Sequence, residues 1–472
     1  MDRPIRWYDY FTININWLAI TTRSQVLTPL IIPLLVQQFV GEEAKGSYVG
    51  LMRLWALMAA VLIQALVGIL SDRSTSRLGR RRPFIILGAV GESIIIILIG
   101  LIAGFEGMRG YWALFSLYIL SMVTSNTSQA PTQGLIPDLV PDEKKGIFSG
   151  IKVLVELPIP LIFVSFVIAK LVSGGNFWGG LISTVVVLII CMLITIMLVP
   201  EKRLEKVPPP LDWKPFIRLI VMTAVFTLII LGVGALVKFG IQLSSSMDET
   251  TAMIFIGISG FLGMAFAVAL GVWLSIRISI GQEIQQNPSF TWWVVNRLAF
   301  LVGATNLAGF MVFFLQEKFS EYAGEKAVGP AATIIMFVGI FILVTAVPSG
   351  WLADRFGKKI LLVISGLLAT IGTAIAISAP TLNVLTIGAA IIGAGVGLFY
   401  SSNWALGTEI VPKDKAGQFL GLSNLAGAGA GAIGAYIGGP IADNMSFTLL
   451  MCLYGGLFLL SIFALLGIKG GR

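Results

Sequence analysis

Residues 68–85 read Gly-Ile-Leu-Ser-Asp-Arg-Ser-Thr-Ser-Arg-Leu-Gly-Arg-Arg-Arg-Pro-Phe-Ile and lie between two long apolar segments. A shorter version returns at residues 350–359, which read Gly-Trp-Leu-Ala-Asp-Arg-Phe-Gly-Lys-Lys, again between apolar segments. Each copy has a glycine, an Asp-Arg pair, a second glycine and a basic cluster. This arrangement is typical of a tight turn between two membrane helices, and its repetition indicates a chain built from two related halves.

The composition is that of a membrane protein. Of the 472 residues, 56% are hydrophobic and 12% charged, and the mean hydropathy is +0.91. Soluble domains usually carry charge on about a quarter of their residues. We therefore expect an all-α polytopic membrane protein. Apolar runs of about 20 residues predict about fourteen membrane helices, near residues 11–39, 47–71, 83–105, 110–136, 147–172, 177–199, 216–240, 251–280, 290–316, 329–353, 359–379, 383–408, 418–441 and 446–468.

The net charge of +8 reflects topology and gives no reason to expect a charged partner. Most of the 32 lysine and arginine residues fall in loops on one side of the predicted membrane, together with both chain termini and the basic turn. The positive-inside rule makes that side cytoplasmic. We expect a multi-pass protein of the cell membrane, with both termini in the cytoplasm, a first helix that is retained and not cleaved as a signal peptide, and no nucleic-acid partner.

A second repeat supports the duplication. Residues 138–150 align with residues 409–421 at an offset of 271 positions, and the Asp72 and Asp354 turns are 282 positions apart. Two matched loops at similar offsets predict two six-helix bundles of the same orientation. The predicted domains are residues 1–200, the first bundle; residues 201–285, a cytoplasmic connector with two extra transmembrane helices; and residues 286–472, the second bundle.

Several of these residues match a known family. They are Gly68, Ser71-Asp72-Arg73, Ser76-Arg77, the stretch 79–85 and Gly88-Ala89 in the first turn, and Asn126-Thr127, Gln129, Pro131, Leu135 and Asp138-Leu139 in the fourth apolar run. On these motifs the chain resembles the major facilitator superfamily, and within it the sucrose:proton symporters and the glycoside–pentoside–hexuronide symporters. The resemblance implies two six-helix bundles, here with two additional central helices, and secondary transport. Where the sucrose symporters hold a proton-binding aspartate, this chain has Met122.

The two matched turns are predicted to act in gating. Their glycines would allow close approach of helices, and their aspartates would hold an arginine or a helix N-terminus and so latch the cytoplasmic side. The alternative is a solvated basic loop that only follows the topology rule. The candidate gating residues are Gly68, Asp72, Arg73, Gly79, Arg80, Gly350, Asp354, Arg355 and Gly357.

Ionisable groups deep in membrane spans are costly to bury and are usually functional. There are no histidines, so proton coupling would use a carboxylate. Lys152 and Glu156 are spaced i,i+4 and share a helix face, and two prolines at 158 and 160 should break the helix beside them. Glu156 is the first candidate for ion coupling and Glu92 the second, while a permanent structural pair of Lys152 with Glu156 is the alternative.

The substrate site is predicted from amides and aromatic rings in the spans. Asn and Gln amides donate and accept together, which suits sugar hydroxyls, and aromatic faces suit the apolar side of a sugar ring. The alternative is that these groups only join helices. Arg297 is left open between a structural and a functional role. The candidate substrate-binding residues are Asn126, Gln129, Gln133, Trp404, Asn403, Asn16, Trp17 and Arg23.

Together these features predict a secondary transporter that moves a small neutral hydroxylated solute, a sugar or glycoside, by ion-coupled alternating access, as a proton symporter. A drug- or lipid-type antiporter is the alternative. No enzyme is expected, because the sequence has no His or Cys metal cluster, no HExxH motif and no Walker loop. The expected partners are the solute, a coupling proton or sodium ion and the lipid bilayer, with no cofactor or metal, and the chain is expected to be a monomer.

Overall fold

The structure, a computed structural model, describes residues 5–201, 204, 213–279, 288–410 and 416–469, and it describes the side chains of all of these except 279 and 416–426. Within these ranges the regular structure is helical throughout. The helices are α1 Asp9–Val40, α2 Lys45–Asp72, α3 Arg82–Ile102, α4 Gly107–Gln133, α5 Asp142–Ser173, α6 Phe177–Leu198, α7 Lys214–Ser244, α8 Glu249–Ser279, α9 Pro288–Gly309, α10 Met311–Lys318, α11 Gly324–Phe356, α12 Lys358–Ser378, α13 Leu382–Ile410, α14 Ala416–Asn444 and α15 Phe447–Gly467.

Every predicted span contains a helix, with α9 and α10 sharing one of them. Among the described residues, 11 helices are long and apolar enough to cross a membrane, and the pair α9 and α10, bent by 60°, raises this to as many as 12. Helix α4 is long enough at 27 residues but carries the polar run 124–133, and it is not among them. The all-α fold is confirmed, and the count of fourteen spans stays a prediction.

Two of the long helices change their winding at prolines. In α5 the α-helical stretch ends at Glu156 and restarts at Pro158, and a π-helical turn follows at Val164–Ile168. Proline has no backbone N–H to donate and its ring clashes with the preceding turn. The predicted break beside Glu156 is therefore confirmed. In α1 a π-helical turn at Leu27–Ile31 contains Pro29.

The chain divides into two compact units. Unit 1 comprises Met1–Phe39, Ala59–Phe216 and Gly324–Met336; unit 2 comprises Val40–Met58, Ile217–Ala323 and Phe337–Arg472. In unit 1, α3 packs along α4 and α1 packs against α6. In unit 2, α12 packs along α13, and α9 packs against α14 and α15. The predicted division at residues 200 and 285 stays a prediction.

The inserted helix α8 packs tightly within unit 2. It lies against α14 and α15, and a Cβ on its Gly260 would meet Ile441 of α14 at less than van der Waals distance. On α7, the same holds for Gly234 against the ring of Tyr436, and the Nζ of Lys238 lies 5.3 Å from the centre of that ring. Because Gly260 and Gly234 have no side chain, Ile441 and Tyr436 of α14 pack directly against the backbones of α8 and α7.

Candidate functional site

A buried ion pair joins α1 to α3 in unit 1. The Nε of Arg23 lies 2.6 Å from Oε1 of Glu92, and the two side chains are 3% and 1% exposed. Glu92 also accepts hydrogen bonds from the hydroxyls of Ser121 (2.6 Å) and Thr124 (2.5 Å) on α4, and Arg23 donates to Ser121. Both carboxylate oxygens of Glu92 are therefore satisfied, which is the condition for keeping a charge in a low-dielectric interior.

The second pair of unit 1 is looser. The Nζ of Lys152 lies 3.3 Å from Oε2 of Glu156, and the side chains are 29% and 33% exposed. Lys152 also lies over the ring of Trp17, with Nζ 4.0 Å from the ring centre. No hydroxyl or amide among the described residues donates to Glu156. The sequence correctly predicted that Lys152 and Glu156 share a face, and the geometry leaves Glu156 accessible to an ion.

Two of the predicted substrate-binding side chains form hydrogen bonds within unit 1. The amide of Asn16 donates to the hydroxyls of Ser128 (3.1 Å) and Thr132 (2.7 Å), and so joins α1 to α4. The amide of Asn126 donates to the carbonyl of Met122 on its own helix, at 2.8 Å. Both side chains are buried. The geometry of Asn16 fits the alternative of a polar group that joins helices, whereas the hydrogen bond of Asn126 stays within α4.

The amides of Gln129 and Gln133 differ from these. Gln129 is half-buried and Gln133 exposed, and neither side chain has a hydrogen-bond partner in the part of the chain that the structure describes. At the 271-residue offset of the repeat they align with Tyr400 and Trp404 of α13, which are 40% and 44% exposed. Matched faces of α4 and α13 thus carry accessible amides in one unit and accessible aromatic rings in the other.

Asn403 is the centre of a network in unit 2. It is fully buried, and its Nδ2 donates to Oδ1 of Asn296 at 2.9 Å. Its Oδ1 accepts from Nη1 of Arg297 at 3.0 Å, and its backbone carbonyl accepts from the indole N–H of Trp293 at 2.9 Å. Asn403, predicted as a substrate ligand, is therefore engaged within the unit.

The Asn403 network repeats a contact of unit 1. Asn296-Arg297-Leu298-Ala299 matches Asn16-Trp17-Leu18-Ala19 at an offset of 280, and Asn403 matches Thr132 at an offset of 271. The hydrogen bond between Asn403 and Asn296 is thus the counterpart of the bond between Asn16 and Thr132. Sequence reasoning missed this pairing, although the repeated Asn-X-Leu-Ala motif was a signal for it.

Arg81 closes the basic turn of unit 1. Its Nη2 lies 2.8 Å from Oδ1 of Asp72, and its Nε lies 2.5 Å from Oδ2 of Asp138, which also pairs with Arg80. Burial alone would raise the pKa of Asp138, but hydrogen bonds and charge from Arg81 and Arg80 outweigh it and hold that pKa below its ordinary value. Arg81 and Asp138 were missing from the predicted gate.

Glu201 also holds this turn and was missed. Its carboxylate accepts the backbone N–H groups of Arg81 (2.5 Å) and Arg82 (3.0 Å) and so caps the N-terminus of α3. Arg82 in turn donates to the carbonyl of Val199, at 2.6 Å. Burial raises the pKa of Glu201 above its ordinary value, against the opposing effect of those N–H groups and arginine charges. The only sequence signal was an acid three residues after Leu198, the last residue of α6.

The turn of unit 2 is held differently. Lys358 pairs with Glu409, and Lys359 donates to the carbonyl of Ile468 at 2.5 Å. Asp354 is exposed and forms no ion pair with the residues that the structure describes. The guanidinium of Arg355 lies 5.3 Å from the ring centre of Trp351.

The predicted gating glycines fall into two groups. Gly79 and Gly357 have φ angles of 112° and 93°, a backbone conformation that favours glycine. A Cβ on Gly68 or Gly350 would meet nothing within 4 Å. The close helix approach expected at those two positions is therefore not seen in this structure, and close approach occurs instead at Gly88, where a Cβ would meet the backbone of α4.

Known proteins resemble this chain in sequence and in fold. The sequence pattern of the Major Facilitator Superfamily matches residues 294–470. A nucleoside transporter, NupG, is 14% identical with a TM-score of 0.66 and covers 98% of this chain and 100% of its own. A D-xylose-proton symporter is 15% identical with a TM-score of 0.65, covering 98% and 97%. The chain has the fold of these two proteins. Such low identities show the fold alone.

The similar sequences include sucrose transport proteins. The protein SUC4 of Arabidopsis thaliana is 34% identical over 105 residues, which is 19% of each chain. The protein SUT5 of Oryza sativa subsp. indica is 32% identical over 111 residues, which is 20% of each chain. The matched segment thus spans about a fifth of the length of these relatives. The resemblance to the superfamily and to its sucrose transport proteins is confirmed, and with the apolar helices it makes the chain a multi-pass membrane protein.

Proposed function

We propose that the protein is a secondary transporter for a small hydroxylated solute, a sugar or a glycoside, which it moves by ion-coupled alternating access. The observation that carries this proposal is the pair of matched faces, with accessible amides at Gln129 and Gln133 and accessible rings at Tyr400 and Trp404. Amides bind hydroxyls in both directions, and aromatic faces bind the apolar side of a sugar ring. The names of the sucrose transport proteins and the D-xylose-proton symporter agree with this substrate class, and nothing specific favours the drug- or lipid-type antiporter.

In this function the asparagines and the glutamines have different roles. The amides of Asn16 and Asn403 donate to side chains of other helices and so position those helices. The amide of Asn126 donates to the carbonyl of Met122 on its own helix. Gln129 and Gln133 have amides left for the solute, and Trp404 offers its ring. The largest losses of affinity should therefore come from Gln129 and Trp404, and Asn126 should matter less for hydrogen bonding to the solute.

The coupling ion is best placed at Glu156. A coupling carboxylate must exchange partners, and Glu156 has only Lys152 at 3.3 Å and is a third exposed. Glu92 has three donors and is 1% exposed, so changing its charge would leave Arg23 buried without its partner. When Glu156 takes up a proton, or a sodium ion replaces Lys152, the ammonium remains held over Trp17. The break in α5 beside Glu156 gives the backbone a place to bend.

Binding of a sugar panel by purified protein tests the substrate face. Gln129→Ala and Trp404→Ala should each weaken binding of the true solute about ten- to a hundredfold. For Gln129→Ala the reason is an unmet hydrogen bond in a desolvated site, which costs about 1–3 kcal/mol. For Trp404→Ala the reason is the loss of the aromatic face that covers the sugar ring. Gln242→Ala and Trp273→Ala, which remove an exposed amide and ring from the inserted helices, are the matched controls and should leave affinity unchanged. Equal affinity in all four variants would move the solute site elsewhere.

Coupling is tested by Glu156→Gln in proteoliposomes. The variant should lose gradient-driven accumulation of solute and keep facilitated exchange, since the amide preserves shape and cannot titrate. Solute-induced proton uptake, or dependence on sodium, should disappear with it. Glu92→Gln should lower thermal stability and leave the coupling ratio of the folded protein unchanged. Accumulation that survives in Glu156→Gln and fails in Glu92→Gln would place coupling in α3.

A further inference from the structure

The helices α2 and α11 each have their two ends in different units. The first residues of α2 fall in the segment Val40–Met58 of unit 2, whereas Asp72 at its end falls in unit 1. The first residues of α11 fall in the segment Gly324–Met336 of unit 1, whereas Asp354 near its end falls in unit 2. With 28 residues, α2 is about 42 Å long. Its first residues therefore lie far from the basic turn that follows it.

The start of α2 packs directly on the backbone of α14 within unit 2. A Cβ on Gly50 would overlap the carbonyl group of Ala435, and a Cβ on Gly439 would overlap the carbonyl group of Gly46. The contact at these glycines depends on a close fit of two backbones. It is reinforced by a polar side chain of α14.

That side chain is Asp443, near the C-terminal end of α14. Its Oδ1 accepts the backbone N–H of Gly46 at 2.7 Å, and its Oδ2 accepts the backbone N–H of Ser47 at 2.7 Å. The N–H groups in the first turn of a helix have no partner within the helix, and the helix dipole favours a negative charge beside them. The ammonium of Lys45 also attracts this carboxylate. Asp443 thus caps the N-terminus of α2 with both of its oxygens.

The matching contact in unit 1 has a valine at the position of this cap. At the 271-residue offset of the repeat, Asp443 corresponds to Val172 of α5, whose side chain cannot accept a hydrogen bond. There α5 and α11 meet through the hydroxyls of Ser165 and Thr333, which lie 3.2 Å apart. Of the two matched contacts, the one between α2 and α14 therefore has the stronger, charge-assisted hydrogen bonds.

A second carboxylate of unit 2 forms the same kind of cap between two other helices. Glu317 of α10 accepts the backbone N–H groups of Phe447 at 2.6 Å and Thr448 at 3.0 Å, at the start of α15. Both of these helices belong to the second bundle predicted from the repeat, so we expect them to move together. The Asp443 cap instead joins α14 of that predicted bundle to α2 of the first one.

We propose that Asp443 is a latch, which holds the start of α2 against α14 while the solute path is open toward the basic turns and releases α2 when the path opens at the opposite end. This inference rests on the proposed alternating access and does not depend on which solute is carried. The two hydrogen bonds run from neighbouring N–H groups to one carboxylate, so a single movement of α2 away from α14 breaks both of them.

The distance between α2 and the second half of the chain tests the latch. It can be measured by pulsed electron paramagnetic resonance on purified full-length protein, with spin labels at Glu43 and Asn383. Both residues are exposed, belong to unit 2 and lie beyond the helix ends remote from the basic turns. The background carries Cys191→Ser and Cys452→Ser, so that only the two introduced cysteines are labelled.

Removing the charge of the latch should favour the open arrangement. In Asp443→Asn the population with the longer label distance should rise about tenfold relative to the population with the shorter distance, because the amide nitrogen of asparagine cannot accept an N–H. Asp443→Ser keeps one oxygen acceptor and loses the charge, so it should shift the populations in the same direction by a smaller factor. This second variant also provides the test where Asp443→Asn does not fold.

Glu317→Gln is the matched control, because it weakens a carboxylate cap of the same unit without changing a contact of α2. It should lower thermal stability and keep the wild-type distance distribution. An unchanged distribution in the Asp443 variants, or an equal shift in Glu317→Gln, would overturn the inference. Binding of the sugar panel to the same preparations tests the proposed function separately. A shift in Asp443→Asn in a protein that binds no sugar would support the latch and overturn sugar transport.

Discussion

The two basic turns descend from one pattern and share some of their contacts. Both place a glycine at positive φ, Gly79 and Gly357. Arg80 pairs with Asp138 in the first turn, and Lys358 pairs with Glu409 at the matching positions of the second. In each unit a basic side chain of the turn also reaches a carbonyl at the end of the unit's last helix. These shared contacts fix the turn to its bundle.

The turns differ in what their aspartates do. Arg81 joins Asp72 to Asp138 in the first turn, and Glu201 caps the helix that follows. In the second turn Lys359 takes the place of Arg81, and Asp354 stays exposed without an ion pair among the described residues. A planar fork can hold two carboxylates at once, whereas an ammonium is a single point charge. The same motif therefore joins two aspartates through one arginine in the first turn and forms only separate anchoring contacts in the second.

The largest expected difference between the turns comes from removing the residue at their centre. Arg81→Ala leaves Asp72 and Asp138 without their shared partner and should lower the free energy of unfolding by about 2–3 kcal/mol. Lys359→Ala loses one hydrogen bond to a carbonyl and should cost about 1 kcal/mol. Chemical unfolding of both variants in the same detergent measures the two losses. Equal losses would show that the first turn is no more than an anchor.

The two missed acids of the first turn should respond to pH in opposite directions. The pKa of Asp138 is lowered, so its stabilisation is present above its unfolded pKa and is lost as pH falls through the folded pKa. The pKa of Glu201 is raised, so its contribution is full below its unfolded pKa and is lost as pH rises through the folded pKa. The difference in unfolding free energy between wild type and Asp138→Asn should grow with pH, and that between wild type and Glu201→Gln should shrink.

Unfolding series between about pH 3 and pH 7 cover the ordinary pKa range of both acids. Lys326→Gln, which removes an exposed lysine outside this cluster, serves as a charge control. Two profiles with slopes of the same sign would contradict the assigned environments of Asp138 and Glu201.

The smallest expected effects come from the aspartates themselves. Asp72→Asn weakens a pair in which the acid is 58% exposed, so about 1 kcal/mol or less is at stake, or up to about fivefold in transport rate. Asp354→Asn should change the rate less than twofold, about 0.4 kcal/mol. Solute affinity should stay nearly constant in both, because neither residue lines the solute face. Counterflow measures the transport rate, and equilibrium binding on the same preparations measures the affinity for the solute. A large loss of solute affinity in Asp72→Asn would refute the gating role.

The sequence predicted those parts of the molecule that depend on short-range patterns. Apolar runs located the helices, and the prolines after Glu156 located the break in α5. The i,i+4 spacing predicted the pairing of Lys152 with Glu156. Each of these inferences needs only the geometry of one helix.

Contacts between distant segments were not predictable in the same way. Arg23 and Glu92 were assigned separate roles, but they are 69 residues apart and pair with each other. Glu201 is 120 residues from the N–H group of Arg81 that it caps. No spacing rule relates such positions, because their distance depends on how three or more helices pack. The duplication was the one long-range signal in the sequence. Besides the matched loops, it relates the contact of Asn403 with Asn296 to the contact of Asn16 with Thr132.

The cap on α3 also sets an order for biosynthesis. The basic turn leaves the ribosome before Asp138, 57 residues beyond Arg81, and well before Glu201. During insertion its arginines therefore lack Asp138 and Glu201 as partners, and their positive charge favours one orientation of the loop while α3 enters the bilayer. Only after α6 has been made does Glu201 arrive to close the turn. The closed turn thus marks the completion of the first six helices. In a nascent chain stopped before Glu201, the N-terminus of α3 would lack its cap, and the turn would still be accessible to a protease.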